Sequence, residues 1–160
     1  MNAARIILAG ALLTSGYALY AKPMAHAGAP SGAELVTARQ SGMDMSAATM
    51  TLLKNASTNG VPLKNLAFPA GGLAKWARVL PTLFSENTKG VASRAKPTVW
   101  TDRAGFNVKA QAFIDATKAL AAAAAADDKP GFEAALASTG AACKGCHDTY
   151  QVPPPAAKPG

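Results

Sequence analysis

Cysteine is nearly absent from this chain. Its 160 residues hold two, Cys143 and Cys146, both inside the stretch GAACKGCHDTY that runs from Gly140 to Tyr150. Two cysteines so placed exclude a disulfide scaffold, and a bridge across two residues of a helix would be strained. Val and Ile are scarce, and no period-two alternation marks a strand. Beyond the first twenty residues no apolar run is long enough to cross a bilayer. The cations are spread along the chain without clustering or aromatic interleaving, which argues against nucleic-acid binding.

What is present begins with MNAARIILAGALLTSGYALYAKPMAHAGAP. One cation, Arg5, precedes a diluted apolar run from Ile6 to Tyr20. Ala25-His26-Ala27 then supplies the small-x-small pattern of a signal peptidase site. Residues 1–27 read as a bacterial export signal cut after Ala27, with Ala21 a weaker alternative site; the run is short for a membrane anchor. Cleavage removes Arg5 and Lys22 from sixteen cations and none of the nine acids, leaving a net charge of +5. It also removes His26, so His147 becomes the single histidine of the exported protein.

The remaining chain reads as four helices joined by Gly- and Pro-containing links. The first spans about 31–57, with Leu35, Arg39, Met43, Met50 and Leu53 on one face and Met45 pointing away. The second covers about 63–84, with the stripe Leu66, Leu73, Trp76, Leu80 and Phe84. Pro69 and Gly71-Gly72 predict a kink or a broken start there. Residues 85–97 read as a loop. A third helix begins at Thr101-Asp102, either of which can cap it. Its inner stripe is Phe106, Ala110, Phe113, Thr117, Leu120 and Ala124, and its alanine-rich end reads as helix former and close-packing surface. The fourth begins near Pro130, and Phe132, Leu136, Gly140, Cys143, His147 and Tyr150 are its expected inner face. The fold class is therefore all-α, an antiparallel four-helix bundle over residues 28–152. Residues 153–160 form a Pro-rich tail.

Cys143, Cys146 and His147 spell C-x-x-C-H, the attachment sequence of haem c. Each thiol adds across one vinyl group, so both sulfurs must reach one edge of a porphyrin while the next imidazole rises beneath the iron. On a helix these residues share one side, at offsets of three and four. A thioredoxin-like redox pair would need a βα context, which is missing. Structural zinc would need a fourth ligand, commonly Cys or His, and none remains after cleavage. One haem c held covalently near the C-terminus is the expected cofactor.

Nothing after His147 can ligate the other iron face. The methionines left after cleavage, Met43, Met45 and Met50, all stand on the first helix. Met43 and Met50 lie on its buried face, so two sulfur candidates remain.

Three segments carry a family resemblance: ARQSGMDM, KPTVWTDRAGF and ACKGCHDTY. With them, the chain from about Glu34 to Tyr150 resembles the class II c-type cytochromes, the cytochrome c' family. The resemblance implies the same four-helix fold. It places the residue four after the arginine over the distal iron face, which here is Met43, and Arg39 on a haem propionate. Relatives with Leu or Phe at the distal position are five-coordinate and bind NO or CO. Those with Met are generally six-coordinate, low-spin electron carriers. One departure stands out, since Gln151 occupies the position four after the haem histidine, where the family usually has a basic residue.

The expectation is a periplasmic monohaem electron-transfer protein, not an enzyme, with His147 as proximal and Met43 as distal axial ligand. Its partners would be periplasmic electron donors and acceptors, with a homodimer through the first two helices implied by the resemblance. The alternative is a haem protein with a vacant or displaceable distal site that binds NO or CO.

Overall fold

A computed structural model describes residues 28–154. The export signal read in residues 1–27 and the tail from 155 on lie outside the described residues.

Helix α1 (Gly32–Thr58) starts where a capping box starts it. The Ser31 amide and hydroxyl both donate to the Glu34 carboxylate at 2.7 Å, and the Glu34 amide donates to Ser31 Oγ at 3.3 Å. Asn59, Gly60 at φ 73° and Pro62 then stop it.

The second helical stretch departs from the expected kink. A 3₁₀ turn (Leu63–Leu66) leads into α2 (Ala67–Val79), and a second 3₁₀ turn (Leu80–Leu83) closes it. The start is thus broken, but α2 runs unbroken through Pro69 and Gly71-Gly72. Pro69 falls in the first turn, where the amide it lacks would have had no helical partner. Leu66, Leu73 and Leu80 are buried as the stripe predicts, while Trp76 and Phe84 are half-buried.

One helical turn (Thr98–Thr101) precedes α3 (Arg103–Ala126). Asp102 caps α3 by accepting from the Gly105 amide at 3.1 Å. All six residues of the expected inner stripe, from Phe106 to Ala124, are buried. Two residues, Asp127 with φ 59° and Asp128, join α3 to α4 (Lys129–Tyr150). So short a link makes the pair antiparallel.

The inner face of α4 is rotated from the expected one. Phe132, Ala135, Thr139 and Tyr150 are buried, whereas Leu136 and Cys143 are half-buried and Gly140 and His147 exposed. The reason lies in the α3–α4 seam, the most extensive helix contact of the molecule. Small residues let two helices approach closely, so Ala135 and Thr139 face inward here. The row through Cys143 and His147 turns aside toward the bundle's edge.

The four long helices form the expected antiparallel bundle. One large core cluster centres on Leu53, Leu73, Leu120 and Phe132, and a smaller one at the opposite end holds Val99, Phe106 and Tyr150. No helix of the described residues is long and apolar enough to cross a membrane.

Candidate functional site

A cavity of about 330 Å³ opens at the end of the bundle where α1, α4 and the 84–99 segment meet. Arg39 and Met43 of α1 line one side, and Cys146, His147 and Tyr150 of α4 line another. Its size falls within the roughly 300–1,000 Å³ of small-molecule sites. A smaller apolar recess of about 40 Å³ shares Met43, Phe84, Phe106, Cys146 and His147 and adds Cys143 and Lys109. The structure thus brings together all five residues singled out in the sequence: Arg39, Met43, Cys143, Cys146 and His147. Of the other methionines, Met50 packs against the main core and lines neither space, and Met45 is 70% exposed.

Arg39 is buried, with 3% of its surface exposed. Nη1 donates to the Leu83 carbonyl at 3.2 Å and Nη2 to Ser93 Oγ at 2.9 Å. Its guanidinium lies 4.4 Å from the Phe84 ring centroid, a cation–π distance. Among the described residues no carboxylate pairs with it. Burial holds its pKa below the usual arginine value. A buried cation without a counterion is costly, and an anionic group entering the cavity would relieve that cost.

Aromatic rings floor the site. Phe84 and Phe106 have centroids 4.9 Å apart, and Phe106 meets the Tyr150 ring edge-on at 5.5 Å. The Tyr150 hydroxyl donates to Asp102, which pushes its pKa up to about 12. Burial raises both thiol pKa values; the neighbouring Cys143 raises Cys146 further, and Lys109 partly opposes this. Although His147 keeps an exposed face, the surrounding protein desolvates it enough to lower its pKa; Arg94 lowers it further, and Asp148 works against both.

Helical periodicity assigns Phe84 to the core and gives no role to Arg94, which lines the cavity from the loop. Arg94 carries no periodic signal. Tyr150, three residues after His147, can be placed by helical spacing, but its bond to Asp102 cannot.

These residues fit a haem. Both cysteines are free, half-buried and one turn apart beside an imidazole. Flat aromatic walls suit a porphyrin, and the unpaired guanidinium of Arg39 suits a propionate. A four-helix bundle with C-x-x-C-H in the last turns of its fourth helix defines a c-type haem protein of the bundle class.

The family model for Cytochrome C' matches residues 34–151, and the chain belongs to the cytochrome c' family. Its cofactor is one covalently bound haem c. A cytochrome c' of Pararhodospirillum photometricum is 42% identical over 83 residues, 51% of this chain and 66% of that protein. A cytochrome c' of Rubrivivax gelatinosus is 45% identical over 71 residues, 44% of this chain and 55% of that one. The chain therefore spans between about half and two thirds of these relatives' length in the matched stretch. Solved structures align more fully. That of the Rubrivivax gelatinosus protein gives a TM-score of 0.70 at 31% identity, covering 76% of this chain and 98% of that one. A ferrous variant of the Alcaligenes xylosoxidans protein with bound NO gives 0.72 at 29%, covering 79% and 100%.

Proposed function

We propose that this monohaem cytochrome takes up a small diatomic ligand, NO or CO, on the iron face where Met43 stands as a displaceable neighbour. The observation that carries this reading is the shared cavity. Met43 of α1 and His147 of α4 line one space, so a ligand entering it comes near both the thioether and the imidazole. The NO-bound relative of the same fold supports it.

In this reading Cys143 and Cys146 form the two thioethers and His147 is the proximal ligand. When bound, the haem supplies an iron that changes by one electron and accepts one further ligand. Arg39 neutralises a propionate, held ready by Leu83, Ser93 and Phe84. Phe84 and Phe106 exclude water from one side of the cavity. We place the protein in the periplasm, with residues 1–27 removed, 28–152 forming the bundle and 153–160 a tail. Exposed Met45 and Leu52 on α1 and Phe68 on α2 favour a homodimer through those helices.

A second reading has Met43 itself: a thioether held on the iron would make the protein an electron carrier between periplasmic donors and acceptors. Optical spectra of the ferrous protein with CO separate the two. Met43→Leu keeps similar volume and should cost under about 1.5 kcal/mol of stability. Rapid CO uptake by wild type, with only modest acceleration in Met43→Leu, supports ligand binding. Sharp low-spin bands and refusal of CO in wild type, with uptake only in the variant, favour the electron carrier.

A further inference from the structure

Arg94 sits in the loop between α2 and α3, far in sequence from His147, yet both line the large cavity. Its backbone is fixed there by the chain that follows His147. The Val152 amide donates to the Arg94 carbonyl at 2.8 Å, Ala95 and Gln151 form an antiparallel bridge, and the Lys96 amide donates to the Tyr150 carbonyl at 2.9 Å. Three consecutive loop residues are thus paired with residues 150–152. The side chain that this pairing delivers is a guanidinium, a planar, delocalised cation.

The other charges at this wall are otherwise engaged or stand apart. Gln151 is neutral. Asp148 is paired with Lys144 one turn back on α4. The Lys96 amine caps α4 by donating to the Asp148 and Thr149 carbonyls, each at 3.1 Å. Lys109 of α3 lines the smaller recess, and Asp44 reaches the cavity from α1, beside Met43. Among the described residues, Arg94 has no carboxylate partner.

We propose that Arg94 is the residue that places a fixed positive charge on the His147 side of the haem and so raises its reduction potential. The inference rests on the haem reading above. Ferric iron carries one more positive charge than ferrous, so a cation nearby disfavours oxidation. Arg94 is exposed, so its influence weakens as salt is added. The role falls to a loop residue because the pairing with residues 150–152 holds the loop beside the end of α4.

The test is the midpoint potential of the haem-loaded protein, read by spectroelectrochemistry at low and high ionic strength. Arg94→Gln should shift the potential downward, with a smaller shift in high salt, and Arg94→Lys should keep it near wild type. Lys89→Gln removes an exposed cation of the same loop outside the cavity lining and should move it less. Adding Gln151→Arg to Arg94→Gln should restore it, because the charge returns to the same wall from the paired segment. The bonds that hold the loop are main-chain, so these exchanges leave them in place. Haem content intact with an unchanged potential in Arg94→Gln overturns the proposal alone, as does an equal shift in Lys89→Gln. A wild type that carries no covalent haem overturns the proposal and the haem reading together.

Discussion

Tyr150 donates a hydrogen bond of 2.6 Å to the Asp102 carboxylate, tying the last turn of α4 to the first turn of α3 across 48 residues of sequence. The same carboxylate accepts from the Gly105 amide, so one side chain both caps a helix and anchors its neighbour. Gly105 makes room for this, because a Cβ there would collide with the Asp102 carboxylate and the Tyr150 hydroxyl.

Removing the tie should lower the melting temperature in a fixed order. Tyr150→Phe loses one bond and Asp102→Ala loses that bond and the cap, so the second should melt lower. The pH dependence has a definite sign. Tyr150 holds its proton up to about 12 against 10.0 for a free phenol, so its contribution is complete below pH 10 and is lost as pH rises through 12. Asp102 is shifted below 3.8, so its contribution is complete above that value and lost as pH falls through the folded pKa. Tyr150→Phe should flatten the alkaline decline, and melting curves from pH 9 upward check it.

Covalent attachment is checked by extraction. In acidified acetone the haem colour should stay with the wild-type chain. It should leave a chain carrying both Cys143→Ala and Cys146→Ala, because no other cysteine exists to form a thioether. Freely extractable haem in wild type would sink the attachment assignment.

Arg39→Leu should lower the reduction potential, since it removes a buried cation from the wall of the cavity. The shift should persist in high salt, unlike that from an exposed arginine, because buried charges are screened less. A potential equal to wild type would leave Arg39 as a tie between α1 and the Leu83–Ser93 segment and nothing more.

Gly42→Ala tests the α1–α2 seam. The Trp76 ring lies against the Gly42 backbone, and a Cβ would occupy the space of its six-membered ring. Overpacking of this kind costs about 1–3 kcal/mol, so denaturant midpoints should fall accordingly. Unchanged stability would mean that Trp76 moves aside freely.

Much of this is legible in the residues, for reasons that also explain what is not. The α3 stripe from Phe106 to Ala124 shows up because large and small apolar residues recur at three and four around one buried face. The haem motif is legible because its chemistry fixes both residue types and spacing. Periodicity leaves two sulfur candidates, Met43 and Met50, and only the family resemblance singles out Met43, which is the one of the two that lines the cavity. Periodicity misjudges the α4 face because it weighs Leu136 above Ala135, whereas a close helix seam favours the smaller side chain. Pro69 and Gly71-Gly72 point to a kink or a broken start; the start is broken by a 3₁₀ turn, while the helix runs on through both glycines, and nothing lies within 4 Å of where their side chains would stand. Arg94 and the bond between Tyr150 and Asp102 depend on where loops and helix ends meet in space. Local pattern carries no trace of either.

The stitching of residues 94–96 to residues 150–152 makes two distant pieces of chain a single unit of local opening. If the end of α4 frays, the loop loses its main-chain partners, and Ser93, which holds Arg39, is released with it. The wall bearing the guanidinium and the wall bearing the imidazole therefore disorder in one step. The amides of Lys96 and Val152, although far apart along the chain, should then exchange with solvent deuterium at a common free energy of opening.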